Sequence, residues 1–386
     1  MTGGIAVAGS LPAGALIAAS LGGEGAAGLA QTAGVFGAAL LALPLARMAL
    51  SHGRRFALTT GYSIGALGAI IAVIGGAGRL LPAVLLGCLL LGVASAAGYQ
   101  GRYAATDLAE PDRRGKALSI VVWAGTIGAV LGPNLLQFSG RLATGLGLPQ
   151  LTGPYLLAAG ALIVACLVLA VFLRPDPYLL AREHATGSMA APRLRDGLAH
   201  LQRHRPAMLG ILAVSVGHVA MVMVMVMTPV HMAHVDVSLQ LIGLVISVHV
   251  LGMFALSPVV GWGVDRFGRT SVIVLGAVIL LAACGVSAAA PADDIAMLGA
   301  GLFLLGLGWS CTLIAGSTLL TDAADAADRP SVQGLSDLSM NVAGAAGGVV
   351  AGVVVMTSSY AVLCAVAAIP VVGLLAVTAV WARRTS

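Results

Sequence analysis

Long apolar segments follow one another along the whole chain and are separated by short polar stretches. Because roughly 20 apolar residues in an α-helix span the hydrocarbon core of a bilayer, we place a crossing at each long segment. In the first half these lie at about 2–21, 25–50, 56–77, 82–103, 115–138 and 153–174. In the second half they lie at about 206–232, 239–260, 271–290, 295–320, 332–356 and 360–382. The pattern predicts twelve transmembrane helices.

Composition supports a membrane protein built entirely from helices. Apolar residues make up 59% of the 386 residues and charged residues 9%, and the mean hydropathy is +1.00. Such a chain is not a soluble domain. The 52 glycines are spread through the apolar segments, which favours closely packed helices over the alternating strands of a β-barrel.

Basic residues are concentrated in the loops of one side. Under the twelve-crossing assignment, only Arg79 and Arg141 fall on the opposite side. Because cytoplasmic loops accumulate Lys and Arg, both termini and the long middle loop are predicted to be cytoplasmic. The net charge of +5 then reflects orientation in the lipid bilayer and does not indicate a nucleic-acid partner.

An internal repeat divides the crossings into two groups of six. The matching residues stand 215 positions apart: Thr106-Asp107 and Arg114 with Thr321-Asp322 and Arg329, Gly53-Arg54 with Gly268-Arg269, and Gly132 with Gly347. Such repeats create a substrate cavity at their interface, near the bilayer midplane. We therefore predict an N-terminal six-helix bundle at 1–174, a cytoplasmic linker at 175–205 and a C-terminal six-helix bundle at 206–386. The same displacement suggests a true start upstream of Met1, or a shortened first span.

The loop after the eighth crossing carries a motif with a mechanical interpretation. Residues 261–269 read GWGVDRFGR, which resembles the GxxxDRxGR signature of the major facilitator superfamily. A carboxylate at a helix mouth can bind basic side chains and neighbouring helix N-termini. Asp265, Arg266, Gly268 and Arg269 are therefore predicted to gate the cytoplasmic side.

The first half lacks the charged pair of this motif, and it carries a second motif of its own. Leu50 and Ser51 replace the acidic and basic pair, so we expect any clamp there to be weak or missing. Residues 128–133 read GAVLGP and resemble the GxxxGP helix-bending motif of many facilitators. Simple helix packing and a coupling role both remain open for that segment.

Two pairs of soft donor atoms at helical spacing lie in the second half. Met221 with Met225, and His249 with Met253, stand four residues apart and so share one helical face. Thioether sulfur and imidazole nitrogen favour copper, especially Cu(I), over ions that prefer oxygen. Intramembrane histidine is uncommon and marks a pathway or a polar contact. The positions 215 residues earlier hold side chains that cannot serve as such metal ligands: Ala6, Ser10, Gly34 and Ala38.

These residues resemble the functional elements of the CcoA-type copper importers, a branch of the major facilitator superfamily with MxxxM in helix seven and HxxxM in helix eight. The resemblance implies copper uptake across the bacterial cytoplasmic (inner) membrane for assembly of cbb3-type cytochrome oxidases. It assigns Met221, Met225, His249 and Met253 to the copper path. Copper is then the transported substrate, no other cofactor is expected, and copper chaperones of oxidase assembly are candidate partners.

Other polar and sulfur-bearing residues lie in the crossings, and several of them allow either a functional or a structural role. Gln333, Asp337 and Asn341 form a stripe in the eleventh crossing, where Asp337 is a candidate for proton coupling or for a helix contact. Met223 and Met227 point away from the ligand stripe and are expected to be apolar filler. Three residues lie at the outer end of the seventh crossing: Met232, His231 and His234. They could line a path for incoming copper, or the histidines could be solvated interfacial residues.

Two rival functions remain open, and neither is enzymatic. The first is an exporter of drugs or small organic solutes, which the GxxxGP match and a Met-rich wall favour. The second is a membrane receptor or assembly factor that binds copper without moving it. The cysteines stand singly in apolar segments and are expected to be packing residues without disulfides: Cys88, Cys166, Cys284, Cys311 and Cys364.

Overall fold

A computed structural model describes residues 2–22, 24–183, 201, 203–233, 235, 237, 239–325 and 328–385. The first-half helices are α1 (Thr2–Gly22), α2 (Glu24–Ala77), α3 (Leu81–Ala104), α4 (Arg114–Asn134), α5 (Leu136–Gly145), α6 (Gly153–Phe172) and α7 (Pro177–Glu183). The second-half helices are α8 (Arg205–Ala233), α9 (Leu239–Phe254), α10 (Ser257–Phe267), α11 (Arg269–Ala289), α12 (Ile295–Ala323), α13 (Arg329–Thr357) and α14 (Tyr360–Thr385).

The predicted all-α membrane fold is confirmed. Within the described residues, nine helical segments are long and apolar enough to cross a membrane. One of them covers two predicted crossings, because α2 continues through a kink at Gly53 with φ +88°. Gly268, 215 positions later, has φ +90° between α10 and α11. Both bends need the left-handed backbone that glycine adopts without steric cost.

Contacts divide the chain into two compact units. The first comprises Met1–Leu108, Ala124–Leu198 and Ala326–Leu338. The second comprises Ala109–Trp123, Ala199–Asp325 and Ser339–Ser386. The domain boundaries predicted from sequence remain a prediction, and residues 184–200 of the predicted linker lie outside the described residues.

Small side chains allow the helices of the first unit to approach closely. Ala69 and Ala72 of α2 are fully buried in a core shared with α1, α3 and α6. A Cβ atom added at Gly87 of α3 would lie 2.7 Å from the Ala72 side chain, too close for van der Waals contact. Packing through small residues is the usual way for membrane helices to associate, since lipid supplies no hydrophobic drive between them.

The second unit is organised around α12. This helix packs against α8, α9, α10 and α11, and its middle turns are buried on most sides. Asp294 caps its first turn by accepting a hydrogen bond from the Met297 N–H at 2.9 Å, which satisfies one of the free N–H groups of a helix start. The helix is therefore the central helix against which its four neighbours pack.

One ion pair occurs in both halves of the sequence with the same atoms. Arg54 Nε donates to an oxygen of Asp107 at 2.8 Å in the first unit. Arg269 Nε donates to the corresponding oxygen of Asp322 at 2.8 Å in the second unit. The environments differ, because the Arg54 and Asp107 side chains are 0% and 1% exposed and those of Arg269 and Asp322 are 18% and 25% exposed. The repeat therefore preserves the pair and changes its solvation.

This difference predicts unequal costs for the same substitution. Asp107→Asn removes the carboxylate that pairs with the buried Arg54 guanidinium, for which we expect a loss of roughly 3–5 kcal/mol. Asp322→Asn weakens a partly hydrated pair, so its cost should be clearly smaller. Apparent melting temperatures of the two variants in one detergent measure this, and an equal or larger drop for Asp322→Asn would contradict the role assigned to burial.

Candidate functional site

His249 lies on α9 in a fully buried position. Its Nδ1 atom is 2.8 Å from the backbone carbonyl oxygen of Leu302 on α12. Because a carbonyl can only accept, Nδ1 carries the hydrogen and donates it. The neutral ring then has its lone pair on Nε2, which is buried and makes no hydrogen bond within the described residues. A histidine that donates one ring N–H to a carbonyl and keeps the other nitrogen free has the arrangement of a metal ligand.

The methionines predicted as ligands differ in burial. Met221 on α8 is 4% exposed, whereas Met225 and Met253 are half-buried. Met223 is 3% exposed, and its Cγ lies 3.3 Å from where a Cβ at Gly347 of α13 would stand. Met223 therefore has a packing role, in keeping with the filler function expected for it.

The two helices that carry the predicted ligands share α12 as a neighbour. Both α8 and α9 pack extensively against this helix. On the α9 side the approach depends on Gly306, because a Cβ there would overlap the His249 carbonyl oxygen and lie 2.7 Å from the Met253 nitrogen. The structure thus packs both helices that carry the predicted ligand pairs against one central helix. Convergence of all four side chains on one ion stays a prediction.

Trp309 of α12 connects the same two helices, a role that sequence reasoning missed. Its indole Nε1–H donates to Nδ1 of His218 on α8 at 3.1 Å. Its ring makes an edge contact with Phe254 on α9, with ring centroids 5.8 Å apart. Because indole N–H only donates, Nδ1 of His218 must accept, and the neutral His218 ring keeps its hydrogen on Nε2. His218 therefore has the opposite tautomer from His249.

The C-terminal part of α8 packs against a tyrosine from α14. The rings of His231 and Tyr360 stack with centroids 4.3 Å apart. Thr228 and Tyr360 share a hydrogen bond of 2.7 Å between their hydroxyls, and Met232 is fully buried. His234 lies outside the described residues. His231 is therefore an aromatic packing residue rather than a fully solvated one.

Asp265 contacts the N-terminus of α4. Its two carboxylate oxygens accept the backbone N–H groups of Gly115 at 2.9 Å and Lys116 at 2.8 Å. A carboxylate is stabilised there by the free N–H groups and by the helix dipole. Arg266 is exposed. The contact is of the kind expected from the loop motif, and the gating role stays a prediction.

Asp322 joins two arginines beside that contact. It accepts from Arg269 and, through its other oxygen, from Arg114 Nη1 at 2.6 Å. Arg269 also donates to the Pro111 carbonyl oxygen. In the first half, where the acidic residue of the motif is missing, Asp176 accepts the Arg55 N–H at 2.7 Å. A different carboxylate thus binds next to the Gly53 bend.

A second buried ion pair lies in the first unit. Arg102 of α3 donates from Nη2 to Asp337 of α13 at 2.6 Å, and both side chains are at most 3% exposed. The sequence indicated Asp337 as a candidate for proton coupling or for a helix contact. Its partner became evident only from the structure, because the two residues are 235 positions apart.

All five cysteines are described and all are free thiols. Four of them are buried and Cys166 is partly buried. Cys88 shares a hydrogen bond of 3.2 Å with the Tyr155 hydroxyl, as Cys166 does with Ser63 at 3.2 Å. These contacts are consistent with packing residues.

Comparison with known proteins shows which family has this architecture. A family model described as the Major Facilitator Superfamily matches residues 1–236 and again residues 210–386. The uncharacterized MFS-type transporter YdeG of Bacillus subtilis is 38% identical over 385 residues, which are 99% of this chain and 89% of that protein. The riboflavin transporter RfnT of Brucella anthropi is 29% identical over 305 residues, which are 79% of this chain and 73% of RfnT.

A solved structure of FucP in the outward conformation superposes with a TM-score of 0.69 at 16% identity, covering 97% of this chain and 98% of that one. This likeness shows the shared fold. The family match and the apolar helices define a multi-pass membrane transporter that is not an enzyme. The chain belongs to the Major Facilitator Superfamily.

The close approach of α9 and α12 gives a testable prediction. Gly306→Ala should lower the melting temperature, because the added methyl group overlaps the His249 carbonyl. Gly299→Ala in the same helix is the matched control, since no neighbouring atom lies within 4 Å of its Cβ position. Alanine is a better helix former than glycine by about 1 kcal/mol, so the control should be neutral or stabilising. A Gly306→Ala protein as stable as the control would refute the tight contact.

Proposed function

We propose that this transporter imports copper by alternating access. The observation that carries the proposal is the unpartnered Nε2 of His249, buried beside a carbonyl that holds the other ring nitrogen in its protonated form. A buried polar atom without a partner is costly. A bound cation would use the lone pair and remove that cost.

The thioether sulfur atoms of the other three proposed ligands favour copper over cations that prefer oxygen. Met253 stands one turn beyond His249 on α9, and Met221 and Met225 stand one turn apart on α8. Thioether and imidazole groups suit Cu(I), whereas Mg²⁺, Ca²⁺ and Mn²⁺ prefer oxygen ligands. All four ligands are neutral, so they bind the ion without the strong retention expected of thiolates. Transport requires such release.

Movement of copper through the protein would use the cytoplasmic contacts as a gate. Copper arrives from the outer side, is held between α8 and α9, and leaves on the inner side. For inward release, the carboxylate of Asp265 must part from the N-terminus of α4, and the Asp322 cluster must rearrange. Arg266, Gly268 and Arg269 belong to the segment that moves. The backbone freedom of Gly268, with φ +90°, suits such a bend.

The cellular setting follows from the same proposal. The excess of Lys and Arg in the loops of one side favours cytoplasmic termini in the inner membrane of a bacterium. Copper released there would supply cbb3-type cytochrome oxidase assembly through copper chaperones. These assignments depend on the resemblance to CcoA-type importers rather than on coordinates.

Uptake of radioactive copper, kept reduced by ascorbate, by cells or proteoliposomes tests the proposal. Met221→Leu should lower uptake by roughly 10-fold or more, because the thioether is lost at nearly constant volume. Met223→Leu is the matched control, since it makes the same change on the same buried helix and should transport like wild type. Equal uptake by the two variants would rule out sulfur ligation by Met221.

His249→Asn distinguishes the roles of the two ring nitrogen atoms. The asparagine amide can still donate toward the Leu302 carbonyl, but it offers no counterpart of Nε2. We expect a folded protein with uptake reduced by roughly 10-fold or more. Wild-type uptake by this variant, at equal expression, would exclude His249 as a copper ligand.

A planar organic solute is the second candidate, and two observations favour it. RfnT, a riboflavin transporter, is similar to most of this chain. In addition, Trp309, Phe254 and His218 form an aromatic group between α8 and α9, and aromatic rings bind flat apolar molecules well. The two functions are separable by their substrates.

Radiolabelled riboflavin offered to the same proteoliposomes decides between them. On the copper proposal, wild-type vesicles accumulate copper and take up riboflavin no faster than empty vesicles. Saturable riboflavin uptake that Trp309→Ala abolishes and Met221→Leu leaves intact would favour the organic-solute function instead.

A further inference from the structure

A groove lies between α11 and α14 on the surface of the second unit. It encloses a volume of about 540 Å³, which is within the range of roughly 300–1,000 Å³ typical of sites for small molecules. The residues that line it are Thr270, Ser271 and Val274 of α11 and Leu375, Thr378 and Ala379 of α14. The groove belongs to neither of the helices proposed to carry the copper ligands.

The groove is open to the surroundings of the protein. Ser271 and Ala379 on its two walls are exposed in the full chain. The same two helices present large apolar side chains outward, among them Leu275, Val278 and Val372. Because an apolar surface on membrane-spanning helices faces lipid, the molecule that meets this groove is a lipid.

The groove has a polar mouth and an apolar interior. Thr270 and Ser271 lie in the first turn of α11, where their hydroxyl groups can donate hydrogen bonds. One turn farther along the helix, Val274 forms an apolar wall. Thr378 donates its hydroxyl hydrogen to the Leu374 carbonyl oxygen at 2.7 Å, so it has none left for a ligand. This distribution suits an amphiphile with a polar head and a hydrocarbon tail.

An aromatic pair stands next to the mouth in the chain. Trp262 and Phe267 of α10 are exposed, and their rings make an edge contact with centroids 5.5 Å apart. They precede α11 directly, with only Gly268 between the two helices. Tryptophan is enriched at the level of the lipid headgroups. The mouth of the groove is therefore expected at the membrane surface.

Positive charge accompanies the mouth on both helices. Arg266 is exposed and stands just before α11, and α14 carries Arg383 and Arg384 in its last turn. The neighbouring carboxylate of Asp265 is already bound by two N–H groups at the start of α4. Arginines beside hydroxyl groups suit a phosphate, and basic residues at the membrane surface attract anionic lipids.

We propose that the groove between α11 and α14 is a binding site for one anionic phospholipid. An acyl chain lies against Val274 and Leu375, and the phosphate meets the hydroxyls of Thr270 and Ser271 together with the nearby arginines. On the orientation predicted from the loops, this lipid comes from the inner leaflet. The site is separate from the proposed copper path and does not depend on it.

Native mass spectrometry of the full-length protein tests the site. The detergent-purified protein is mixed with equal amounts of phosphatidylglycerol and phosphatidylcholine that have the same acyl chains. Wild type should retain phosphatidylglycerol in preference. Arg383→Gln with Arg384→Gln should weaken this binding by about fivefold for each arginine and leave phosphatidylcholine binding unchanged, because a cation near the headgroup contributes about that factor.

A substitution that fills the groove tests the role of its shape. Ala379→Leu should abolish the preference for phosphatidylglycerol. Ala365→Leu is the matched control, since it makes the same change at an exposed position of the same helix outside the groove, and it should behave like wild type. If Ala379→Leu does not fold, Thr270→Val with Ser271→Ala removes both hydroxyls and should lower phosphatidylglycerol retention.

Melting temperatures give a second readout, because a ligand that binds only the folded state stabilises it. Phosphatidylglycerol should raise the melting temperature of wild type and Ala365→Leu more than phosphatidylcholine does, and this difference should vanish in Ala379→Leu.

Three results would overturn the proposal. The first is equal retention of the two lipids by wild type. The second is equal phosphatidylglycerol retention by the folded Ala379→Leu and Ala365→Leu proteins. The third is displacement of the lipid by glycerol phosphate at the same concentration, since that molecule has the charged head without the chain. Each of these results leaves the proposed copper import untouched.

Discussion

The hydrogen bond from His249 Nδ1 to the Leu302 carbonyl is the interaction on which the functional account depends. It joins α9 to α12 at a buried point and determines which ring nitrogen keeps a lone pair. A solvated or differently paired histidine at this position would offer no preorganised ligand. The glycine at 306 permits the approach that makes the bond possible, so close helix packing and metal chemistry are consequences of the same local geometry.

Polar groups inside the bundle divide into those that the repeat preserves and those that it does not. The pairs Arg54–Asp107 and Arg269–Asp322 recur with matching atoms, and in each the arginine directly follows a glycine with positive φ. The Met and His residues proposed for the copper path occur in one half only, and the Arg102–Asp337 pair has no counterpart at a displacement of 215 positions. Because a duplicated fold needs its architectural contacts twice and its chemistry once, this division separates structure from transport.

The fold class could be predicted from sequence, since helix length and apolar composition follow from local pattern and the 215-residue displacement shows in the order of residues alone. The candidate ligands could also be proposed from the sequence, because residues four apart on a helix share a face; their binding of copper stays a prediction. What sequence could not show was the partner of each polar group. Leu302 contributes only its backbone carbonyl, Trp309 lies in an apolar segment with no distinctive spacing, and Arg102 meets Asp337 across 235 positions. Such contacts depend on tertiary packing, which no single-chain pattern records.

Copper K-edge X-ray absorption on the purified protein loaded with Cu(I) tests the central claim most directly, because it identifies the atoms bound to the ion. The account predicts a first shell that contains both sulfur and nitrogen, with the nitrogen contribution lost in His249→Asn and the sulfur contribution reduced in Met221→Leu. A shell made only of oxygen or nitrogen, or a protein that retains no copper while remaining folded, would contradict it.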